Sequence, residues 1–166
     1  NISTSIAASR KIFNIKDNDI INGIRKIKLR GRLEEIKSGR LKTIAGNNRL
    51  IVDGGHNISA SLSIASWLKN QNQETNLIVG MMKDKEHLEF MKSFKNTVNS
   101  ITLIDIPNQN SAISKEDFEN KINKLNLNLK KSQSIESAIK SLSKNENSII
   151  LCVGSLYLVG GILKLN

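Results

Sequence analysis

Apolar residues in this chain fall into two kinds of run, and their alternation predicts an architecture. Leu50-Ile51-Val52, Leu77-Ile78-Val79, Ile101 to Ile106 and Ser148 to Val153 are short and nearly continuous, as expected for strands buried on both faces of a parallel sheet. Leu33 to Ile36 predicts a first strand, and Leu125 to Leu129, where Leu and Asn alternate, a short half-exposed one. The intervening stretches carry helical spacing. Helices are expected over Asn57 to Asn70, from Asp84 or Lys85 to Phe94 with Leu88, Met91 and Phe94 inward, from Ser114 onward, over Ser134 to Ser143, and over Ser155 to Leu165. Ser114 and Asp117 stand close to a capping box. Two further amphipathic helices are expected at the start. One covers Ile2 to Phe13, with Ser3 or Thr4 able to cap it. The other covers Asp17 to Ile27, with Asp17 as N-cap and Ile20, Ile21, Ile24 and Ile27 on one face. Lys37 to Asn48, polar with Gly39 and Gly46, predicts a turn, and Gln71 to Thr75 a connector.

Strands alternating with helices at this spacing point to βαβ units. The expected class is α/β, a Rossmann-like, mostly parallel sheet flanked by helices. No G-x-G-x-x-G follows any strand, which disfavours a dinucleotide cofactor. The chain is organised around Arg49-Leu50-Ile51-Val52-Asp53-Gly54-Gly55-His56-Asn57, a buried strand that stops at an acidic, glycine-rich, His-bearing corner. Asp53 falls at the carboxyl end of that strand, where open α/β sheets place their ligands.

At 166 residues there is room for one well-buried core and a short flanking piece. The first residue is Asn, which suggests a fragment or a processed product. No stretch resembles a signal peptide, and no apolar run approaches the roughly 20 residues that span a bilayer. Cys152 is the sole cysteine, so no internal disulfide forms, and the cytoplasm is the expected compartment, with no membrane partner. The net charge of +10 raises the question of nucleic acid. Lys and Arg are scattered along helix faces and loops, and the one Trp, one Tyr and four Phe build no stacking platform. Specific nucleic-acid binding is therefore not expected, whereas non-specific attraction to polyanions follows from charge alone.

Asp53-Gly54-Gly55-His56-Asn57 does not stand alone. Leu29-Arg30-Gly31-Arg32-Leu33-Glu34 precedes it, Gly80-Met81-Met82-Lys83-Asp84-Lys85 follows the next strand, and Gly154-Ser155-Leu156-Tyr157 closes the last. In this order the strings resemble the folylpolyglutamate synthase/dihydrofolate synthase family, a branch of the Mur ligase superfamily. They look like its Trp-Pro-Gly-Arg-Leu-Glu, Asp-Gly-(Ala/Gly)-His-Asn, Gly-Met-Leu-Lys-Asp-Lys and Gly-Ser-Phe/Leu-His/Tyr motifs, with Leu29-Arg30 in place of Trp-Pro.

The resemblance implies that residues 1–28 are the helical tail of an amino-terminal ATP-binding domain and residues 29–166 a carboxy-terminal glutamate-ligase domain. The whole enzyme would use ATP and Mg2+ to join L-glutamate to dihydropteroate or a folate through an acyl phosphate, acting as a monomer when full length. Alternatives are a peptidoglycan-precursor Mur ligase and a stand-alone nucleotide- or anion-binding module. A guanidinium offers a planar fork to phosphate oxygens, and a carboxylate at a strand end can accept from ribose hydroxyls. The resemblance gives these roles to Arg32 and Asp53, and adenine contact to Asn1. Arg40 also follows a glycine, but the Leu-Glu after Arg32 fits the motif better. His56 is implied near the transferred phosphate and the incoming amino acid as the catalytic histidine, donating a hydrogen bond to an anionic oxygen. Ser155 is implied at the glutamate carboxylate, at a helix N-terminus. Lys83, Asp84 and Lys85 either fold over the cleft or form a solvated loop, and His87 is expected on the surface.

No metal site is expected in this chain. The resemblance puts the magnesium ligands upstream, and no G-x-x-x-x-G-K-[ST] loop is present. The chain alone is therefore expected to be inactive.

Overall fold

The computed structural model describes every residue except Asn1 and Lys28, and the adenine contact expected of Asn1 lies outside the described residues. The chain forms two compact units, Asn1–Arg30 and Gly31–Asn166.

The smaller unit holds α1 (Ile2–Ile12) and α2 (Asp17–Lys26), neither with a buried residue. Helices this short gain little from propensity and depend on packing. Between them runs an apolar groove of about 410 Å³ lined chiefly by Ile2, Ile6, Ile15, Ile20, Ile24 and Ile27. The expected caps are not used. Ser3 and Thr4 lie inside α1, and Asp17 is the first residue of α2 after Lys16. The Asp17 carboxylate is instead paired with Arg10, and in the first turn it also favours the helix dipole.

The larger unit is a sheet of β1 (Glu34–Ile36), β2 (Arg49–Asp53), β3 (Thr75–Val79), β4 (Ser100–Leu103), β5 (Leu129–Lys131) and β6 (Ile149–Val153) in the order β1-β2-β6-β3-β4-β5. Edge strand β1 runs antiparallel to β2, and all other pairs are parallel. Helices α3 (Arg40–Ala45), α4 (Ile58–Lys69), α5 (His87–Lys92), α6 (Lys115–Ile122), α7 (Ile135–Leu142) and α8 (Leu156–Leu165) cover both faces. Alternate strand residues feed separate cores. Ile51, Leu77, Leu103 and Leu151 pack with α4, α5 and α6 through Ile64, Phe90 and Phe118. Leu50, Val52, Ile78 and Cys152 pack with α3, α7 and α8 through Leu41, Ile139 and Leu158. This double coverage is the reason the central strands read as unbroken apolar runs.

Some expectations give way. Lys37 to Asn48 holds α3 rather than only a turn. Leu41 and Ala45 are buried and Ile44 packs half-buried against the same core, an i, i+3, i+4 set confined to six residues between Gly39 and Gly46. Lys42 reaches past the helix end to the Asn48 carbonyl at 2.8 Å. Leu125 to Leu129 is not a strand. Asn123–Leu125 closes as a 3-10 turn that buries Leu125, Asn126 takes left-handed backbone (φ 52°), and the chain extends only from Leu129. Strand β4 stops at Leu103, and beyond it the Asp105 carboxylate accepts from the Lys115 backbone N–H at 2.8 Å and from its ammonium at 2.6 Å.

One consequence positions the site. Strands β2 and β6 are neighbours, yet α4 after β2 and α8 after β6 pack on opposite faces. The loops beyond their carboxyl ends therefore splay apart, and open α/β sheets bind ligands at such switch points.

A candidate active-site cleft at the switch point

The corner after β2 uses each of its residues. Asp53 is only 6% exposed. Its Oδ1 accepts from the Gly55 N–H at 2.6 Å and its Oδ2 from the Leu33 N–H at 2.8 Å. Gly54 N–H donates to the Gly31 carbonyl at 2.8 Å, so the turn that precedes β1 is stitched to the corner after β2. Within that turn Leu33 is held at φ 43°, a left-handed conformation uncommon outside glycine. A Cβ on Gly54 would lie 3.2 Å from Arg32 Nη1 and 2.2 Å from Leu156 Cδ2. The absence of a side chain there lets the exposed Arg32 and the start of α8 close in. Asn57 caps α4, its Oδ1 accepting from the Ala60 N–H at 2.9 Å.

His56 is half-buried, with Nδ1 2.9 Å from the Gly54 carbonyl. A carbonyl only accepts, so Nδ1 carries the proton and the neutral ring presents a lone pair at Nε2. Nε2 therefore accepts in the neutral ring. The donation to an anionic oxygen expected from sequence requires the doubly protonated ring.

Two more loops complete the cleft. Beyond β6, Gly154 (φ 114°) turns the chain so that Ser155, 3% exposed, caps α8, its Oγ accepting from the Tyr157 N–H at 3.1 Å. Beyond β3, the Met82–Lys85 turn is tied to the segment before α6. Lys83 N–H donates to the Ser111 carbonyl at 2.9 Å, and Met82 bridges Ala112. Together the loops enclose about 270 Å³, lined by His56, by Met82, Asp84 and Lys85, and by Ser155 to Tyr157. The Lys85 ammonium, 2.7 Å from Asp84, holds that carboxyl below the usual carboxylate range, with a smaller pull from His56.

The structure thus brings His56, Ser155 and the Asp84–Lys85 pair together, with Arg32 and Asp53 on the adjoining turn. Arg40 stands apart. Its N–H donates to the carbonyl of Asn166, at the end of α8 away from Ser155, and its guanidinium pairs with Glu136 at 2.6 Å.

His87 is not a surface residue. It is 3% exposed, its Nε2 lies 2.9 Å from the Met82 carbonyl, and its ring meets Phe118 edge-on at 5.0 Å. Burial pushes its pKa down from the usual imidazole range. The signal was present in the sequence: His87, Phe90, Met91 and Phe94 fall at i, i+3, i+4 and i+7, one helix face. Leu88, expected inward, is only partly buried because His87 takes that place.

Cys152 is fully buried and its thiol is pushed up to about 12, which removes it as a nucleophile. Among the described residues no group of three His, Cys, Asp or Glu side chains converges to hold a metal, and no helix is long and apolar enough to cross a membrane.

The family described as Mur ligase, glutamate ligase domain, matches residues 39–156, a stretch that contains Asp53, His56, Lys83 to Lys85 and Ser155 but not Arg32. A search of curated proteins finds no match. Among solved structures, E. coli FolC in complex with DHPP and ADP is similar with a TM-score of 0.80 and 20% identity, over 99% of this chain and 38% of that one. Mycobacterium tuberculosis folylpolyglutamate synthase complexed with ADP and AMPPCP gives 0.76 and 14%, over 91% and 35%. The bifunctional folylpolyglutamate synthase/dihydrofolate synthase of Yersinia pestis complexed with AMPPNP and Mn ion gives 0.73 and 16%, over 90% and 34%. At these identities the likeness is one of fold, and the chain spans little more than a third of each relative. Because the matched stretch, from just before α3 to the first residue of α8, takes in most of the chain, the protein belongs to the Mur ligase glutamate ligase domain family.

Proposed function

We propose that the chain is the carboxy-terminal part of an ATP-dependent ligase that joins L-glutamate to dihydropteroate or a folate, and that it does not turn over alone. The observation that carries the reading is the convergence of three motif-bearing loops on one cleft at the switch point, with His56, Lys85 and Ser155 on its walls. Solved relatives that carry ADP, AMPPNP or DHPP support the choice of nucleotide and folate-type substrates. Residues 1–28 belong, in this reading, to the tail of the ATP-binding domain.

The chemistry is acyl transfer. ATP phosphorylates a carboxylate, the glutamate amine attacks the acyl phosphate, and an amide, ADP and phosphate result. Arg32 sets its guanidinium on the nucleotide phosphate, and Asp53 serves ATP by holding the turn that carries Arg32, each of its oxygens accepting one backbone N–H. The amino end of α8 at Ser155 and the Lys85 ammonium attract the glutamate carboxylate. The neutral His56 ring accepts at Nε2 from the amine N–H, and the doubly protonated ring donates to a phosphate or carboxylate oxygen. Positive charge fixed before the reaction stabilises the migrating phosphoryl oxygens. The described residues supply no ligand cluster for magnesium.

The test is an NMR titration of the isotope-labelled chain. L-glutamate should perturb His56, Lys83 to Lys85 and Ser155, and ADP should perturb Arg32 and Gly54. No saturable response to either would refute the reading. A response to ADP or inorganic phosphate without one to glutamate would favour a nucleotide- or anion-binding module. ATP-dependent amide formation by the isolated chain would overturn its dependence on a partner domain.

A further inference from the structure

We propose that His87 is a positioning residue of the cleft, its Nε2–H latching the Met82 carbonyl and so fixing where Asp84 and Lys85 stand. The inference rests on the cleft being the ligand site.

The Met82–Lys85 turn has few other restraints on its own side. Asp84 is exposed, its carboxylate paired with its neighbour Lys85, and Lys83 reaches out to the Asn110 carbonyl at 3.2 Å. Two anchors remain. On one side lie the Met82–Ala112 bridge and the Lys83 N–H on Ser111. On the other, His87 holds the turn twice: its backbone N–H donates to the Lys85 carbonyl at 3.0 Å, and its ring, five residues on, reaches back to Met82 at 2.9 Å. The ring itself is immobilised by burial and by the edge contact with Phe118 of α6. The contact passes directly to the cleft, because Met82, Asp84 and Lys85 all line it. A buried imidazole is a costly way to fill an apolar position unless its polar atoms are used, and this one is used on a wall residue.

The experiment compares the full 166-residue chain with His87→Leu, which keeps apolar volume against Phe118, and His87→Gln, whose side-chain amide can restore an N–H to the carbonyl. Amide hydrogen exchange is read at Lys83, Asp84 and Lys85 and, as an internal reference, at Leu151 and Cys152 in β6. In His87→Leu, exchange in the turn should rise about tenfold while β6 is unchanged, as for loss of one hydrogen bond; His87→Gln should return most of the protection. L-glutamate affinity should fall and recover in the same order. Uniform acceleration across turn and sheet, or no change in the turn, would overturn the proposal. If His87→Leu does not fold, the wild-type protein decides: a slowly exchanging Nε2–H on His87 supports the latch, and its absence overturns it. Exchange is measured without ligand, so a failure of glutamate to bind counts against the functional reading and leaves the latch to be judged on exchange.

Discussion

Asp53 Oδ2 accepts the backbone N–H of Leu33 at 2.8 Å across 20 residues of sequence, while Oδ1 accepts that of Gly55 at 2.6 Å. A carboxylate that looks free for a ligand at a strand end is thus the buckle between the Arg32 turn and the glycine-rich corner. Asp53→Asn keeps the shape but points an amide N–H₂ at one of the two donors. It should cost about 1–3 kcal/mol, the usual penalty for stranding a buried polar group. Urea unfolding should show a lower midpoint at an unchanged slope. If Arg32 acts through this turn, Asp53→Asn and Arg32→Ala should weaken ADP binding non-additively in a double-mutant cycle. Full additivity would separate the two residues.

The two histidines should carry opposite neutral tautomers. His56 places Nδ1 on the Gly54 carbonyl and His87 places Nε2 on the Met82 carbonyl, and each carbonyl demands a donor. Long-range nitrogen–proton correlation spectra distinguish the two forms directly. Expected for the neutral rings are a Nδ1–H pattern for His56 and a Nε2–H pattern for His87. The same tautomer at both positions would remove the basis for the lone pair that His56 offers the cleft.

How far the sequence carries depends on what each feature rests on. The central strands are legible because both faces are buried, and β2, β3 and β6 leave continuous apolar runs. The cap at Ser114 is legible because a side-chain oxygen directly before a periodic run has a local partner. Asn57, Ser134 and Ser155, expected as the first residues of their helices, prove to be caps of the same kind, whereas those expected at Ser3, Thr4 and Asp17 are not used. Helix α3 is not legible, although Leu41, Ile44 and Ala45 fall at i, i+3 and i+4, because the set spans barely one turn between two glycines. Strand β5 is displaced because one left-handed Asn126 moves the extended segment. The residue types at the corner are legible too, but the engagement of Asp53 is not, since its partner Leu33 contributes only backbone. His87 escapes a reading that treats histidine as polar, although its spacing puts it on the apolar face.

Stability should fall on mild acidification, and His87 should be the cause. Burial lowers its folded pKa below the ordinary 6.5, so in that range the unfolded chain binds more protons than the folded one. Stability therefore rises with pH, is full above the ordinary imidazole value, and is lost as pH falls from there toward the folded pKa. The hydrogen bond to the Met82 carbonyl opposes the shift, Lys121 adds to it, and Asp84 opposes it more weakly. The lowered carboxylates Asp84 and Asp105 act elsewhere. Their contributions are present above the ordinary 3.8 and are lost only as pH falls through their lower folded values. Urea midpoints between pH 7.5 and 5 (on the order of the imidazole range) should decline for the wild type and stay flat for His87→Gln. An equal decline in both would assign the effect to another group.

Gly54 and Gly154 flank the same cleft and should respond differently to alanine. At Gly154 the backbone sits at φ 114°, where an L residue is strained, and a Cβ would lie 2.7 Å from the Gly80 carbonyl oxygen, a backbone atom that cannot swing aside. Strain and clash together should cost several kcal/mol, about 1–3 from the backbone conformation alone. At Gly54 the φ is ordinary, and the nearest atom is Leu156 Cδ2, the tip of a half-exposed side chain at 2.2 Å. Leu156, whose Cγ would also lie at 2.8 Å, is half-exposed and can swing aside, so Gly54→Ala should cost on the order of 1 kcal/mol in stability although Gly54 itself is buried. The displaced Leu156 side chain lines the cleft, however, and the new Cβ would lie 3.2 Å from Arg32 Nη1. Gly54→Ala should therefore melt near the wild-type temperature yet bind ADP and L-glutamate more weakly, whereas Gly154→Ala should melt many degrees lower. If Gly54→Ala retains wild-type affinity for both ligands, the corner after β2 is a structural turn, and the ligand site must be sought away from it.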